Sequence, residues 1–467
     1  MISNTVAIID DNRSLSFSEL TKFINGTAHY FLENGIKPKE RIPIFSNNSL
    51  EYVISIFALW RINTIPVPIN TRLKEKEVSS ILKFVGCSKI IKSEDFKNSL
   101  FEIPAIEMKI ESNSEVLKYK NRTNPNDTAL IIYTSGSSGK PKGVETTNDN
   151  LYQSYISEAQ EFNFSSEDKY LASLPFYHIG GFAIINRALL SGGTLVLPKS
   201  LKQDDIVKSM GNDNPTIISF VPIMLKRLIE TGVSPNENMR HLFLGGGPSD
   251  DNLIQSAFQN NWPIVKVYGS SETTAMVTAC SGMELKAHPA SGGRPLNNVV
   301  IKILDESKNS VAINTVGEIA IKSPTIAKGY LNDVTNWNNK IHEDHYLTGD
   351  YGCLDEDGRL FVVARRTDLI VSGGENIDPR EVEVMLNKYD GILESFVFSI
   401  ENIEWGQIPV AILVLEKNTK FKKNELIEEL RQNIASFKIP KKILVVDEIP
   451  KRTLGKVDLE KARGLLK

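Results

Sequence analysis

The stretch Tyr133-Thr134-Ser135-Gly136-Ser137-Ser138-Gly139-Lys140-Pro141-Lys142-Gly143-Val144 decides how the rest of the chain is read. The apolar run Ala129 to Ile132 leads into it and reads as a buried strand. After Tyr133 come hydroxyl residues, glycines, two lysines and a proline. Glycine lets backbone N–H groups turn toward a bound anion, hydroxyls add donors, and lysines bring point charges that suit phosphate. The stretch therefore reads as a loop that wraps the phosphates of a nucleotide. A Gly/Ser-rich surface linker is the bland alternative; the strand before the loop and the lysines within it argue against that. The loop is not a Walker A loop. Lys140 is followed by Pro141 and not by Ser or Thr. Pro141 also forbids the helix that such a loop opens.

Composition bounds the remaining possibilities. A chain of 467 residues, 41% hydrophobic and 24% charged, predicts a globular protein of two to four domains with a large core. A net charge of −3 gives no basic surface for nucleic acid and no polyacidic tail. Cys87, Cys280 and Cys353 match neither a zinc spacing nor a disulfide framework, which suggests a reducing compartment. Met1 to Asp10 lacks a basic region followed by an apolar core. The longest apolar runs, such as Ile54 to Trp60, are too short to span a bilayer. The expected location is the cytoplasm.

Outward from the loop the chain alternates. Residues 15–34 read as a helix that starts near Ser18, 41–45 as a strand, 51–61 as an apolar helix, 64–67 as a strand, 74–85 as a helix and 89–91 as a strand. Strands alternating with helices point to a parallel sheet covered on both faces. Apolar runs at 299–304 and 317–321, and Tyr330, suggest a β-rich subdomain. The last hundred residues read as a small α+β domain, with helices at 379–388 and 423–436 and strands at 394–399, 409–415 and 442–447.

The loop resembles the phosphate-binding signature of the adenylate-forming superfamily, which includes acyl-CoA synthetases, aryl-CoA ligases, luciferases and non-ribosomal adenylation domains. Ser137-Ser138 stands where that signature usually has two threonines. At least seven motifs of the family follow in order along the whole chain. The resemblance implies an α/β fold: a large N-terminal domain of stacked α/β subdomains plus a β-rich subdomain, hinged to a small α+β C-terminal domain. The expected division is 1–366, binding ATP and the acyl substrate, and 367–467, a mobile domain with the catalytic lysine and the CoA channel.

Residue roles are carried over motif by motif. Thr134 through Lys140, with Lys142, would hold the ATP phosphates. Pro175-Phe176-Tyr177-His178-Ile179-Gly180-Gly181 is similar to the acyl-pocket segment, so His178, Gly180 and Gly181 are expected there. A lone His near aromatics is more often a packed core residue. Arg187, nine residues after His178, would bind a second substrate carboxylate, for which a guanidinium is suited; its bland reading is a solvated helix charge. Gly245-Gly246-Gly247-Pro248 would lie against adenine and the acyl group. In Tyr268-Gly269-Ser270-Ser271-Glu272-Thr273, the tyrosine would stack on the base. Glu272 would hold Mg²⁺, and Thr273 would face the acyl group. Asp350, in Thr348-Gly349-Asp350, would take the ribose hydroxyls, and Arg365 the ribose and phosphate. Thr367 matches the pivot. Gly373, Gly374 and Lys438 would line the CoA channel. Lys456, in the closing Gly455-Lys456-Val457, matches the adenylation lysine and joins Glu272 and His178 as catalytic.

The implied activity is an ATP-dependent acid–CoA ligase: carboxylate and ATP give an acyl-adenylate and pyrophosphate, and CoA then takes the acyl group as a thioester. ATP, Mg²⁺ and CoA are the implied cosubstrates and cofactor, with a small carboxylic acid, no nucleic acid and no membrane span. The short length, His178-Ile179-Gly180-Gly181, Arg187 and the GGGP turn resemble the 2-succinylbenzoate–CoA ligases of menaquinone synthesis. Thr274-Ala275-Met276 departs from them, since they tend to carry small hydroxyl residues and a Gln there. A generic fatty-acyl or aryl-CoA synthetase stands as the alternative. A carrier-protein loading module or a non-catalytic binding homologue fits less well, because Lys456 is intact.

Overall fold

The computed structural model describes residues 4–11, 13–113, 124–134, 142–247, 249, 251–364, 369–416, 421–450 and 457–466. The chain forms two compact units. The larger comprises Met1–Thr71, Leu82–Tyr133 and Gly143–Arg365. The smaller comprises Arg366–Lys467 together with Arg72–Ile81 and Thr134–Lys142.

The larger unit is built on a nine-stranded sheet. Its strands run, in spatial order, Arg294–Pro295, Ala275–Ser281, Ile264–Ser270, His241–Leu244, Ile217–Phe220, Lys169–Leu171, Thr194–Leu197, Val6–Asp10 and Arg13–Ser16. From Ile264–Ser270 to Val6–Asp10 the neighbours are parallel. Antiparallel hairpins close both edges. Every residue of Thr194–Leu197 and Ile217–Phe220 is buried, as expected of parallel strands covered on both faces. A four-stranded parallel sheet, ordered Ile65–Pro68, Arg41–Phe45, Ile90–Lys92 and Ala105–Glu107, completes the predicted alternation. The β-rich part is an antiparallel sheet of Val300–Leu304, Gly317–Lys322, His345–Leu354 and Ile341–His342, with Leu360–Ala364 paired to His345–Leu354.

The first helix, Phe17–Glu33, is capped by Ser16 and not by Ser18. Glu19 closes a capping box on Ser16, which satisfies two orphan amides and places the cap two residues before the start signal read at Ser18. Ser49 caps the helix Leu50–Arg61 by accepting from the Tyr52 amide at 3.1 Å.

The smaller unit holds a sheet ordered Glu375–Ile377, Ile370–Ser372, Gly406–Leu415 and Ile392–Asn402, with Lys442–Val446 parallel to Gly406–Leu415. Helices Pro379–Leu386 and Lys423–Asn433 pack on it through Val382, Leu386, Leu426 and Leu430. Its long hairpin runs past the predicted strand ends, because pairing continues through polar residues to Asn402 opposite Gly406. Gly373 and Gly374 form the turn between Ile370–Ser372 and Glu375–Ile377, at φ of 58° and 85°. Consecutive positive φ values suit a tight hairpin and explain the glycine pair. Among the described residues no helix is long and apolar enough to cross a membrane.

Candidate active site

The candidate residues of the larger unit gather where the parallel strands end. In open parallel sheets, ligands sit in the crevice beyond the carboxyl ends of the strands. Lys169–Leu171 leads to the turn that carries His178, His241–Leu244 leads to Gly245-Gly246-Gly247, and Ile264–Ser270 leads to Ser271-Glu272.

Glycine is required at several of these loops. A Cβ on Gly181 would lie 2.0 Å from the Pro175 carbonyl oxygen, and one on Gly245 would lie 2.7 Å from the Val267 side chain. A Cβ on Gly269 would sit 1.9 Å from the Ala275 oxygen. The hairpin after Gly269 folds back that closely because Thr274 and Ala275 adopt φ of 51° and 89°. Left-handed backbone is uncommon for a β-branched residue and must be held by its surroundings. Thr273 supplies part of that hold: its hydroxyl accepts from the Ser270 amide and lies 2.8 Å from the Ala275 oxygen. Ser154 supplies another part, donating to the Thr274 carbonyl at 2.7 Å. Thr273, 1% exposed, is thus internal to the turn, where the sequence reading has it facing the acyl group.

Two hydrogen bonds bring separate motifs together. The Tyr268 hydroxyl donates to Asp350 Oδ2 at 2.8 Å, which joins the proposed base-stacking ring to the proposed ribose acceptor. The Tyr330 hydroxyl donates to Glu272 Oε1 at 2.9 Å. Tyr330 pairs with Val144 on the strand that returns from the phosphate loop, and the Ala327 amide donates to the Glu272 carbonyl at 2.8 Å. Asn150 fixes the same segment by donating to the carbonyls of Pro324 and Ile326. Burial first, and then the Glu272 charge, push the Tyr346 phenol well above its usual range, so it stays a neutral donor beside Tyr330.

Glu272 has the form of an Mg²⁺ ligand that shares its ion with a substrate. Its Oε1 is engaged by Tyr330, and Oε2 makes no hydrogen bond among the described residues. Among those residues no group of three or more His, Cys, Asp or Glu could hold a metal alone. Mg²⁺ is commonly bound by one or two carboxylates together with substrate phosphates, so the donor set fits an ion that arrives with a nucleotide.

Two expectations are corrected. Arg187 does not offer its guanidinium to a ligand. It is 4% exposed, binds Glu158 through Nε and Nη2, and lies 5.1 Å from the centre of the Phe243 ring. The reason is helix packing: Arg187, in the last turn of Ile179–Leu190, meets Glu158 of helix Asn148–Phe162. In the smaller unit Lys438 is not open to a channel. It is 6% exposed and its Nζ lies 2.7 Å from Glu77 and 2.6 Å from Glu381. Burial opposes its charge, but the Glu381 and Glu77 carboxylates prevail and raise its pKa.

His178 occupies the N-cap position of helix Ile179–Leu190 without a side-chain capping bond, lies edge-on to Tyr177 at 4.8 Å between ring centres, and is half-buried. Gly180, Gly246, Gly247 and Ser271 are partly or fully accessible at the same strand ends. Gly373 and Gly374 sit in their hairpin of the smaller unit. Ser135 through Lys140, Arg365, Thr367 and Lys456 lie outside the described residues; Thr134 and Lys142 end the strands on either side of the loop. Tyr330, Ser154 and Asn150 carry functions that the sequence reading missed. Their partners are remote in the chain, and among them Tyr330 alone drew notice, as a sign of the β-rich subdomain.

Residues 3–331 match the model of the AMP-binding enzyme family, and residues 381–456 match that of the AMP-binding enzyme C-terminal domain. A 2-succinylbenzoate–CoA ligase of Oceanobacillus iheyensis is 32% identical over 96% of this chain and 94% of its own. One from Listeria monocytogenes is 30% identical over 98% of this chain and 96% of its own. Among solved structures, a double mutant of the o-succinylbenzoate CoA synthetase of Bacillus subtilis, bound with its product analogue, superposes with a TM-score of 0.92 at 29% identity, covering 98% of this chain and 95% of that one. The same enzyme in complex with ATP and magnesium ion gives 0.75 at 30% identity, over 97% and 95%.

Proposed function

The chain belongs to the AMP-binding enzyme family, and on that premise we propose that it is an ATP-dependent 2-succinylbenzoate–CoA ligase. One observation carries the choice of acid: identity of 30–32% over nearly the full length of both chains to ligases of that name. The tie between Tyr330 and Glu272 supports the nucleotide half of the reaction.

A carboxylate is a poor acyl donor because its oxygen is a bad leaving group. Attack of a carboxylate oxygen on the α-phosphorus of ATP forms the P–O bond of a mixed anhydride and breaks the bond to pyrophosphate. The attack brings two anions together, so catalysis here rests on positioning and on cations aimed at the phosphates. Mg²⁺ at Glu272 would neutralise charge on the departing pyrophosphate. Tyr330 holds that carboxylate in place, and Tyr268 with Asp350 would seat the adenosine. Lys456 and the loop from Ser135 to Lys140 would supply the remaining positive charge. His178 and the glycines at 180 and 181 would border the acid. In the second step the CoA thiolate attacks the acyl carbon and AMP leaves. The smaller unit, joined near Thr367, would contribute to both steps. The three cysteines are unpaired, which accords with a cytoplasmic enzyme.

The test is pyrophosphate release from ATP in the presence of 2-succinylbenzoate, benzoate and a fatty acid, followed by thioester analysis with CoA. Release with 2-succinylbenzoate above the others, and a CoA thioester of it, is the expected result. Release only with a fatty or simple aromatic acid would make the chain a generic acyl-CoA or aryl-CoA synthetase.

A further inference from the structure

Asn48 lies just before the Ser49 cap of helix Leu50–Arg61, far in sequence from every motif above. Its side-chain Nδ2 donates to the Leu174 carbonyl at 2.8 Å, and its Oδ1 accepts from the Phe176 amide at 2.9 Å. The backbone partners fix the orientation of the amide, because a carbonyl can only accept and an N–H can only donate. One side chain thus occupies the donor and acceptor positions that a neighbouring strand would fill, on residues two apart.

We infer that Asn48 is a positioning residue for the acid-binding turn, acting through the backbone of Leu174 to Phe176 on His178. The inference rests on the proposed place of His178 at the acid. Three features make the turn a lever on the residues C-terminal to it. The Phe176 ring is fully buried and packs on Tyr52, one turn into the helix that begins after Asn48, at 5.4 Å between ring centres. The His178 amide donates to the Pro175 carbonyl at 3.1 Å, so the His backbone hangs directly on the clamped segment. Gly181 packs so closely on Pro175 that a Cβ there would lie 2.0 Å from its oxygen. A shift of the turn therefore displaces the start of helix Ile179–Leu190, with His178 and Gly180. The clamp's own hydrogen bonds reach Leu174 and Phe176 and not the strand that carries Tyr268 and leads to Glu272.

The experiment measures KM for 2-succinylbenzoate and for ATP, by pyrophosphate release, in Asn48→Ala, Asn48→Asp and His178→Ala. Loss of two hydrogen bonds at a partly buried clamp predicts a rise of about 10-fold in the KM for the acid in Asn48→Ala. The KM for ATP stays within about 2-fold of wild type. Asn48→Asp keeps the volume and the acceptor for Phe176, but sets a carboxylate oxygen against the Leu174 carbonyl. Its rise in acid KM should equal or exceed that of Asn48→Ala, and it serves alone where the alanine variant fails to fold. A wild-type acid KM in Asn48→Asp, or equal rises for acid and ATP, overturns the inference while His178→Ala still impairs acid binding. Unchanged acid kinetics in His178→Ala would instead overturn the placement of His178 at the acid.

Discussion

Arg187 grips Glu158 with two hydrogen bonds, Nη2 to Oε1 at 3.0 Å and Nε to Oε2, in a pocket where the two side chains are 4% and 1% exposed. The pair accounts for an arginine that the chain order places near the acid, and it has consequences for both stability and specificity.

Breaking a buried ion pair leaves one charge unsolvated, so Arg187→Ala should destabilise the larger unit by about 3–5 kcal/mol. The double variant Arg187→Met with Glu158→Leu should lose less than either single change, since it leaves no orphan charge. Denaturant unfolding of Arg187→Ala, Arg187→Met, Glu158→Leu and the double variant checks this. Under conditions where Arg187→Ala is folded, its loss of activity should be the same factor for 2-succinylbenzoate and for benzoate. A loss confined to the dicarboxylate would restore the arginine as a substrate anchor.

Glu272 and Tyr330 should act together on the Mg²⁺ requirement. Tyr330→Phe removes the hydrogen bond that orients the carboxylate, and loss of such a supporting contact typically costs about 10- to 100-fold in metal affinity or activity. Glu272→Gln should lose more than Tyr330→Phe. Titration of pyrophosphate release against Mg²⁺ reads both: the concentration for half-maximal rate should rise in each variant. An unchanged requirement in Glu272→Gln would remove this residue from the metal site.

Gly269→Ala places a Cβ 1.9 Å from the oxygen of Ala275, which together with Thr274 already holds an unusual φ. The clash should cost about 1–3 kcal/mol and open the turn that carries Glu272. Gly211 offers the control. It lies in helix Gln203–Asp213 with no atom within 4 Å of a Cβ built on it, so Gly211→Ala should be neutral or stabilise by about 0.5–1 kcal/mol. Thermal unfolding of both variants, with pyrophosphate release, separates the two outcomes.

The Lys438 site in the smaller unit should show a pH signature. Its raised pKa means that the stabilisation is fully present below the unfolded lysine value of about 10.4 and is lost as pH rises through the folded value. Burial raises the pKa of Glu381, so its folded form takes up a proton more readily than the unfolded chain does. Lys438→Met leaves Glu77 and Glu381 without their cation. The variant should be destabilised by about 3–5 kcal/mol at pH 8, and the deficit should shrink as pH falls and the carboxyls protonate. Denaturant midpoints from pH 5 to pH 9 test this; a constant deficit would contradict it.

Lys456→Ala should lower adenylation by about 10²–10³-fold, by analogy with loss of one preorganised donor to a developing anion. Pyrophosphate release reads this step without CoA. A wild-type rate would end the role assigned to that lysine.

Much of the architecture was legible in the linear chain. The runs at 41–45 and 89–91 read as strands, and the structure has parallel strands at Arg41–Phe45 and Ile90–Lys92. The glycine pair at 373 and 374, expected to line the CoA channel, forms a tight hairpin at positive φ in the structure. The site was legible in part. Glycine positions and the order of His178, Gly245, Tyr268, Glu272 and Asp350 follow from motifs a few residues long. The clamp on Leu174 and Phe176, the bond from Tyr330 to Glu272 and the anchor of Asn150 link residues that are far apart in the chain, and no local pattern marks them.

Residue order alone established the alternation of strands and helices, which depends on periodicity and short-range backbone preference, and it carried the short motifs whose resemblance implies the family. Packing in three dimensions settled which charges are available. Arg187 and Lys438 read as free cations along the chain, yet burial in low dielectric forces each to take a carboxylate partner within hydrogen-bond reach. That choice depends on which helix faces meet, a property of the folded molecule that local sequence does not encode.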